Sequence, residues 1–179
     1  MRKVVLTFGL IGGAMLAAMM LITVPFADRI GFDKGAYIGY TTMVLAFLMV
    51  FFGVQSYRDN VAGGTVTFGR AFKVGLFISL VITACYVATW QVMYYGFMPD
   101  FLDKYSAYAL EKARQSGATT EQIAAQAKQM QEFGEMYKNP LVNIAFTLLE
   151  PLPVGLVFTL VTAGVVSRKR SQQAAAASA

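Results

Sequence analysis

The chain has 179 residues, of which 56% are hydrophobic and 14% charged, with a mean hydropathy of +0.53. A soluble domain averages about 25% charged residues, so this composition excludes an ordinary water-soluble fold. The chain has no histidine and a single cysteine, Cys85, which excludes intrachain disulfides, Cys/His metal sites and any Ser-His or Cys-His nucleophilic pair.

The missing charge defines four apolar segments, and the spans are expected at about residues 4–26, 37–54, 68–97 and 141–166. Each is near or above the roughly 18 to 20 apolar residues that cross a bilayer. The expected fold is therefore an all-α membrane protein. Residues 1–170 form one domain of four transmembrane helices, with a pair of amphipathic helices in the long loop 98–140. Residues 171–179 are expected to be a disordered tail. The first segment follows Met1-Arg2-Lys3 and superficially resembles a signal peptide. Its apolar core is too long for one, and no small-x-small cleavage pattern precedes Asp28, so it is expected to be a retained helix.

The first span carries Gly9, Gly13 and Ala17 at i, i+4 and i+8. Small residues at this spacing let two helices approach closely in lipid, where van der Waals contact drives association. The partner is either another helix of the same chain or a second copy. The second span opens with Tyr40, Thr41 and Thr42. After it comes "YRDNVAGGTVTFGRAFKVG", residues 57 to 75, in which Asp59-Asn60 and Gly63-Gly64 are turn chemistry. Thr67 is placed to cap a helix beginning at Phe68 and continuing into the third span. Arg70 and Lys73 then fall one turn apart, facing the lipid headgroups on the cytoplasmic side. Cys85, in mid-span, is read as a small apolar side chain.

In the long loop, Phe101, Tyr105, Tyr108 and Ala109 share one helical face. Ser116-Gly117 ends that helix, and Thr119 with Gln122 three residues later reads as a capping box. Ile123, Ala127, Met130, Phe133 and Tyr137 then repeat at helical spacing. Each stripe needs cover: the other helix, the membrane surface or the end of the bundle.

The fourth span contains "LLEPLPVGL", residues 148 to 156. Pro151 and Pro153 remove the N–H groups that would bond the carbonyls of Thr147 and Leu149, so a kink with a polar spot is expected. Proline after Glu150 also resembles a helix start, with the carboxylate at the positive end of the second half-helix. Asn143, Thr147 and Glu150 fall on one face, and the antiparallel third span brings Gln91 and Tyr94 to the same half of the bilayer. No basic residue lies at that depth, so the carboxyl group has no evident ion-pair partner. An ionisable residue within a span is a functional candidate by default. The competing reading is a kink whose carboxyl group simply satisfies its neighbours.

Four crossings put both termini and the second loop on one side, with eight basic residues and one acid. The other side carries seven basic residues and eight acids. The basic side is expected to be cytoplasmic. The pI of about 9.4 is then a matter of topology, and no basic-aromatic groove calls for nucleic acid.

"GTVTFGRAFKVG" entering the third helix, and "LLEPLPVGL" followed by the basic "SRKR", resemble a bacterial membrane-protein family known as domain of unknown function, number 4199. The resemblance covers nearly the whole chain and implies a four-span inner-membrane protein. It implies no activity.

Three function classes follow. The first is a non-enzymatic accessory, scaffold or assembly protein without a cofactor, whose partners are the bilayer and either a second copy or another membrane protein. The second is a small oligomeric proton- or ion-coupled transporter or channel built on the kinked fourth helix around Glu150. No inverted internal repeat supports it. The third is an intramembrane enzyme, for which Glu150 alone is thin support. The first is the preferred expectation.

Overall fold

The computed structural model describes the backbone of residues 1–177, with the side chains of residues 28 and 168–177 left out of the description. The helices are α1 (Arg2–Thr23), α2 (Ala27–Ile30), α3 (Phe32–Asn60), α4 (Phe68–Gly96), α5 (Phe101–Gln115), α6 (Thr120–Tyr137), α7 (Pro140–Leu149) and α8 (Pro151–Ala177). A 3-10 turn, Val24–Phe26, joins α1 to α2.

Four stretches are long and apolar enough to cross a membrane: Arg2–Phe26, Phe32–Asn60, Phe68–Gly96 and Pro140–Ser167. The second is longer at both ends than its apolar core, 37–54. Its helix starts where Gly31 turns the chain at φ +82°, and Asp33 in the first turn suits the positive helix end. At the other end Arg58 stays helical, nearly buried, and its Nε pairs with Asp59 at 2.6 Å. Charge therefore bounds the apolar core without ending the helix.

The local signals act where the sequence places them. The Thr67 hydroxyl accepts from the Arg70 amide at the start of α4. Thr119 and Gln122 form a reciprocal capping box at the start of α6. Gly63, Gly64 and Gly117 adopt positive φ in the turns. At the tail, expected to be irregular over 171–179, the backbone is helical to Ala177, and residues 178 and 179 lie outside the described residues.

α3 and α4 pack against each other, and α1 and α8 each pack against both. Close approach is what holds helices together where lipid removes the hydrophobic drive. A Cβ built on Gly13 would lie 2.6 Å from Cys85 Cβ, and one on Gly9 would lie 2.6 Å from Val81 Cβ. The Gly9/Gly13 stripe thus faces α4 of the same chain. Gly12, beside it, turns to α3, where its Cβ would meet the Ala46 carbonyl at 2.9 Å. Ala17 is half-buried. On the other side, Gly155 lets α8 approach Phe47, which is fully buried. Ser79 reinforces this seam, donating to the Gly155 carbonyl at 3.3 Å and lying 3.0 Å from the Thr159 hydroxyl. The outward faces stay apolar, as lipid requires: Val157 is 58% and Val161 60% exposed.

α5 and α6 pair with each other across the end of the bundle away from the termini. The Phe32 ring lies 5.9, 5.5 and 5.1 Å from those of Phe101, Tyr105 and Tyr108. Lys112 Nζ reaches Asp33 at 2.7 Å, and this hydrogen-bonded carboxylate holds the ammonium above the usual lysine range. α6 is anchored by Phe133, whose ring is 5.1 Å from that of Phe146 on α7.

Candidate functional site

The fourth span is interrupted at Glu150, between α7 and α8. Glu150 has φ −77° and ψ −57°, so its own backbone stays in the helical region at the break. The second half-helix begins at Pro151, directly after Glu150, where the sequence suggests a helix start. The Glu150 carboxyl group turns to the neighbouring helix. The Tyr86 hydroxyl donates to Glu150 Oε2 at 2.5 Å, and the Tyr40 hydroxyl also interacts with this group.

The other candidates gather two turns away on α7. Asn143 is fully buried, and its Oδ1 accepts from Gln91 Nε2 at 2.6 Å. The Thr147 hydroxyl donates to the Asn143 carbonyl at 2.8 Å and lies 3.4 Å from the Tyr137 hydroxyl. Trp90 Nε1 donates to the same Tyr137 hydroxyl at 3.0 Å. Asn143, Thr147 and Gln91 are therefore brought into one network. Glu150 is not joined to Gln91 or Tyr94. Tyr94 is buried among rings, 6.0 Å from Trp90 and 5.3 Å from Tyr137.

The difference is one of register. Along antiparallel α4 and α7, the step from Tyr86 to Gln91 runs opposite to the step from Glu150 to Asn143. Depth places all of these groups in one half of the span, but only the packed register says which pairs meet. Tyr86, Trp90 and Tyr137 are the residues that sequence reasoning passed over. A signal for Tyr86 exists: Ser79, Thr83, Tyr86 and Trp90 follow at i, i+4, i+7 and i+11, a polar and amphipathic stripe in an otherwise apolar helix. Nothing comparable marks Tyr137, which reads as one more apolar position on α6.

Tyr86, Trp90, Tyr137, Thr147 and Glu150 line a cavity of about 450 Å3; Gln91, Asn143 and Tyr94 do not. It lies between α1, α3, α4 and α7 and is covered on the α5 side by Phe101 and Tyr105. Met19, Met20, Met43 and Phe146 line it with apolar surface, and Tyr40, Tyr86, Trp90 and Tyr137 add rings with a polar edge. Among the described lining residues Glu150 is the only acidic one, and none is basic. Of the other polar groups expected in this half, Thr41 is exposed and Thr42 returns its hydroxyl to the Ile38 carbonyl at 2.8 Å. Pro151 is buried and Pro153 exposed. Arg70 and Lys73 are exposed at the opposite end of α4, far from the cavity in sequence and in depth.

The fold and the cavity together define a membrane protein with four membrane-capable helices and a small-molecule-sized hollow in one half of its bundle. Over residues 7–168 the sequence matches the family described as protein of unknown function (DUF4199), and the chain belongs to that family. No curated protein and no solved structure matches it.

Proposed function

We propose that this is a non-enzymatic, multi-pass protein of the bacterial inner membrane that holds a small lipid-soluble molecule in the cavity beside Glu150. Both termini are in the cytoplasm on this reading, and the cavity lies in the outer half of the bilayer. The observation that carries it is the cavity itself. Its volume of about 450 Å3 falls within the roughly 300–1,000 Å3 of small-molecule sites, and its mostly apolar lining converges on a few polar groups. A single carboxyl group with phenol donors can orient a guest, but it is not paired with a second group to attack one. The role is accessory: to retain or present the molecule rather than transform it.

Gly35 supplies the test. It lines the cavity, and a Cβ there would meet nothing within 4 Å, so Gly35→Leu extends a side chain into open space at the cavity wall. Native protein taken directly from its membrane into lipid nanodiscs should carry a small molecule, detected by mass spectrometry of the extract, that Gly35→Leu lacks. Identical extracts would contradict the reading.

One observation favours proton or ion coupling as a second reading. Thr83 is buried with its hydroxyl oxygen unpartnered, and it lies on the helical face that links Tyr86 to Ser79. These hydroxyls lead from Glu150 toward the end that carries the termini. Proton flux into liposomes that Glu150→Gln and Thr83→Val both abolish would select this reading.

A further inference from the structure

The cavity has one carboxyl group and, among the described lining residues, no base to pair with it. Glu150 is exposed to it, and the residues lining it include no lysine or arginine. The donor that reaches the carboxyl group is the Tyr86 phenol, a neutral group. Lys112, at this end of the bundle, is paired with Asp33 at 2.7 Å. Tyr40, Tyr86, Trp90, Phe101 and Tyr105 line the same cavity as Glu150, and aromatic ring faces attract positive charge. A carboxylate amid aromatic rings is the chemistry that recognises an ammonium group. Beyond it, Met19, Met20 and Met43 line the hollow with flexible, polarizable side chains that accommodate variable apolar shapes.

We infer that the cavity takes an amphipathic cation, with an ammonium head between Glu150 and the aromatic rings and an apolar tail against the methionines. This rests on the cavity being a binding site, as proposed above, and names the class of its ligand. The same arrangement disfavours anions, which meet the carboxylate, and gives a neutral head only the phenol contacts.

Trp90 lines the cavity and is the only tryptophan in the chain, so its emission reports on occupancy directly. The protein in phosphatidylcholine nanodiscs is titrated with decyltrimethylammonium, decanol and decyl sulfate, which share one tail and differ in head charge. Gly35→Leu gives the background from partition into lipid. The expected result is a saturable change with the cation, about tenfold or more weaker with the alcohol and the sulfate. Glu150→Gln should remove the preference for the cation. If no probe gives a saturable change above background, the binding-site reading falls, and this inference with it. If all three bind equally, or the sulfate binds best, the cavity is a binding site and the inference is overturned. Should Glu150→Gln fail to fold by size exclusion, the charge series on the native protein decides alone.

Discussion

Tyr86, inside α4, gives its phenol hydrogen to Glu150 at the junction of α7 and α8, across 2.5 Å. This bond ties the break in the fourth span to the helix that packs against α1, α3, α7 and α8. Tyr86 is 8% exposed, so its hydroxyl has little access to any other partner. A hydrogen bond to a charged partner is worth about 1.5–3 kcal/mol. Tyr86→Phe should therefore lower the melting temperature in nanodiscs while leaving a folded protein. Glu150→Gln should lower it less, because the amide oxygen still accepts from Tyr86. Equal stability of Tyr86→Phe and the native protein would mean that the bond contributes nothing.

The Gly13 contact predicts a larger effect. Its missing Cβ leaves space that Cys85 occupies, and both atoms belong to packed helices rather than to a flexible tip. Gly13→Ile should force α1 away from α4, with a cost of about 1–3 kcal/mol or more from overpacking. Because the stripe is covered within one chain, the oligomer size in detergent should not change. A shift in size with unchanged melting would place Gly13 at an interface between copies.

Asn143 tests the buried network. It is fully enclosed, and Gln91 depends on it for a 2.6 Å bond. Asn143→Leu should cost about 1–3 kcal/mol by stranding the Gln91 amide and losing a Thr147 contact. Adding Gln91→Leu should recover part of that loss, since removing both partners is less costly than removing one. A double variant no better than the single one would show that the two amides act independently.

Much of this architecture is legible in the sequence because its causes are local. Span length follows from apolar runs, the starts of α4 and α6 from Thr67 and Thr119, and the turns from glycines at positive φ. The ends of α3 are less legible. Asp33 and Arg58 mark the limits of the apolar run, yet the backbone stays helical through both. The site is legible only in part, because it depends on how helices from distant parts of the chain are staggered. The carboxyl group and the break in the helix can be read from "LLEPLPVGL", and the Asn143–Thr147 pairing from helical spacing. That Glu150 meets Tyr86, and that Tyr137 of α6 reaches Trp90 and Thr147, follows from register and from how α6 docks. Neither is encoded in a short motif.

Orientation is tested with single cysteines in a Cys85→Ala background. Thr65 lies in the loop on the side of the termini, and Ser116 between α5 and α6; both are exposed. In intact cells a membrane-impermeant maleimide should label Ser116→Cys and spare Thr65→Cys, as the excess of basic residues on the Thr65 side predicts. The reverse pattern would invert the protein and turn the cavity toward the cytoplasm.

The measurement that bears most directly on the central claim is the reaction rate of a cysteine inside the cavity. Gly39 lines it, and a Cβ there would make only a 4.0 Å contact with Met19 Cε. Gly39→Cys, in the Cys85→Ala background, is treated with two methanethiosulfonates of similar size, one ending in trimethylammonium and one in sulfonate. Two unit charges about 8 Å apart at an effective dielectric near 20 interact by about 2 kcal/mol, enough for a rate difference of tenfold or more. The cationic reagent should react faster by about that factor, Glu150→Gln should erase the difference, and Gly35→Leu should slow both reagents. A cysteine that reacts with neither reagent, or with both equally while Glu150 is intact, would contradict an open cavity governed by the Glu150 charge.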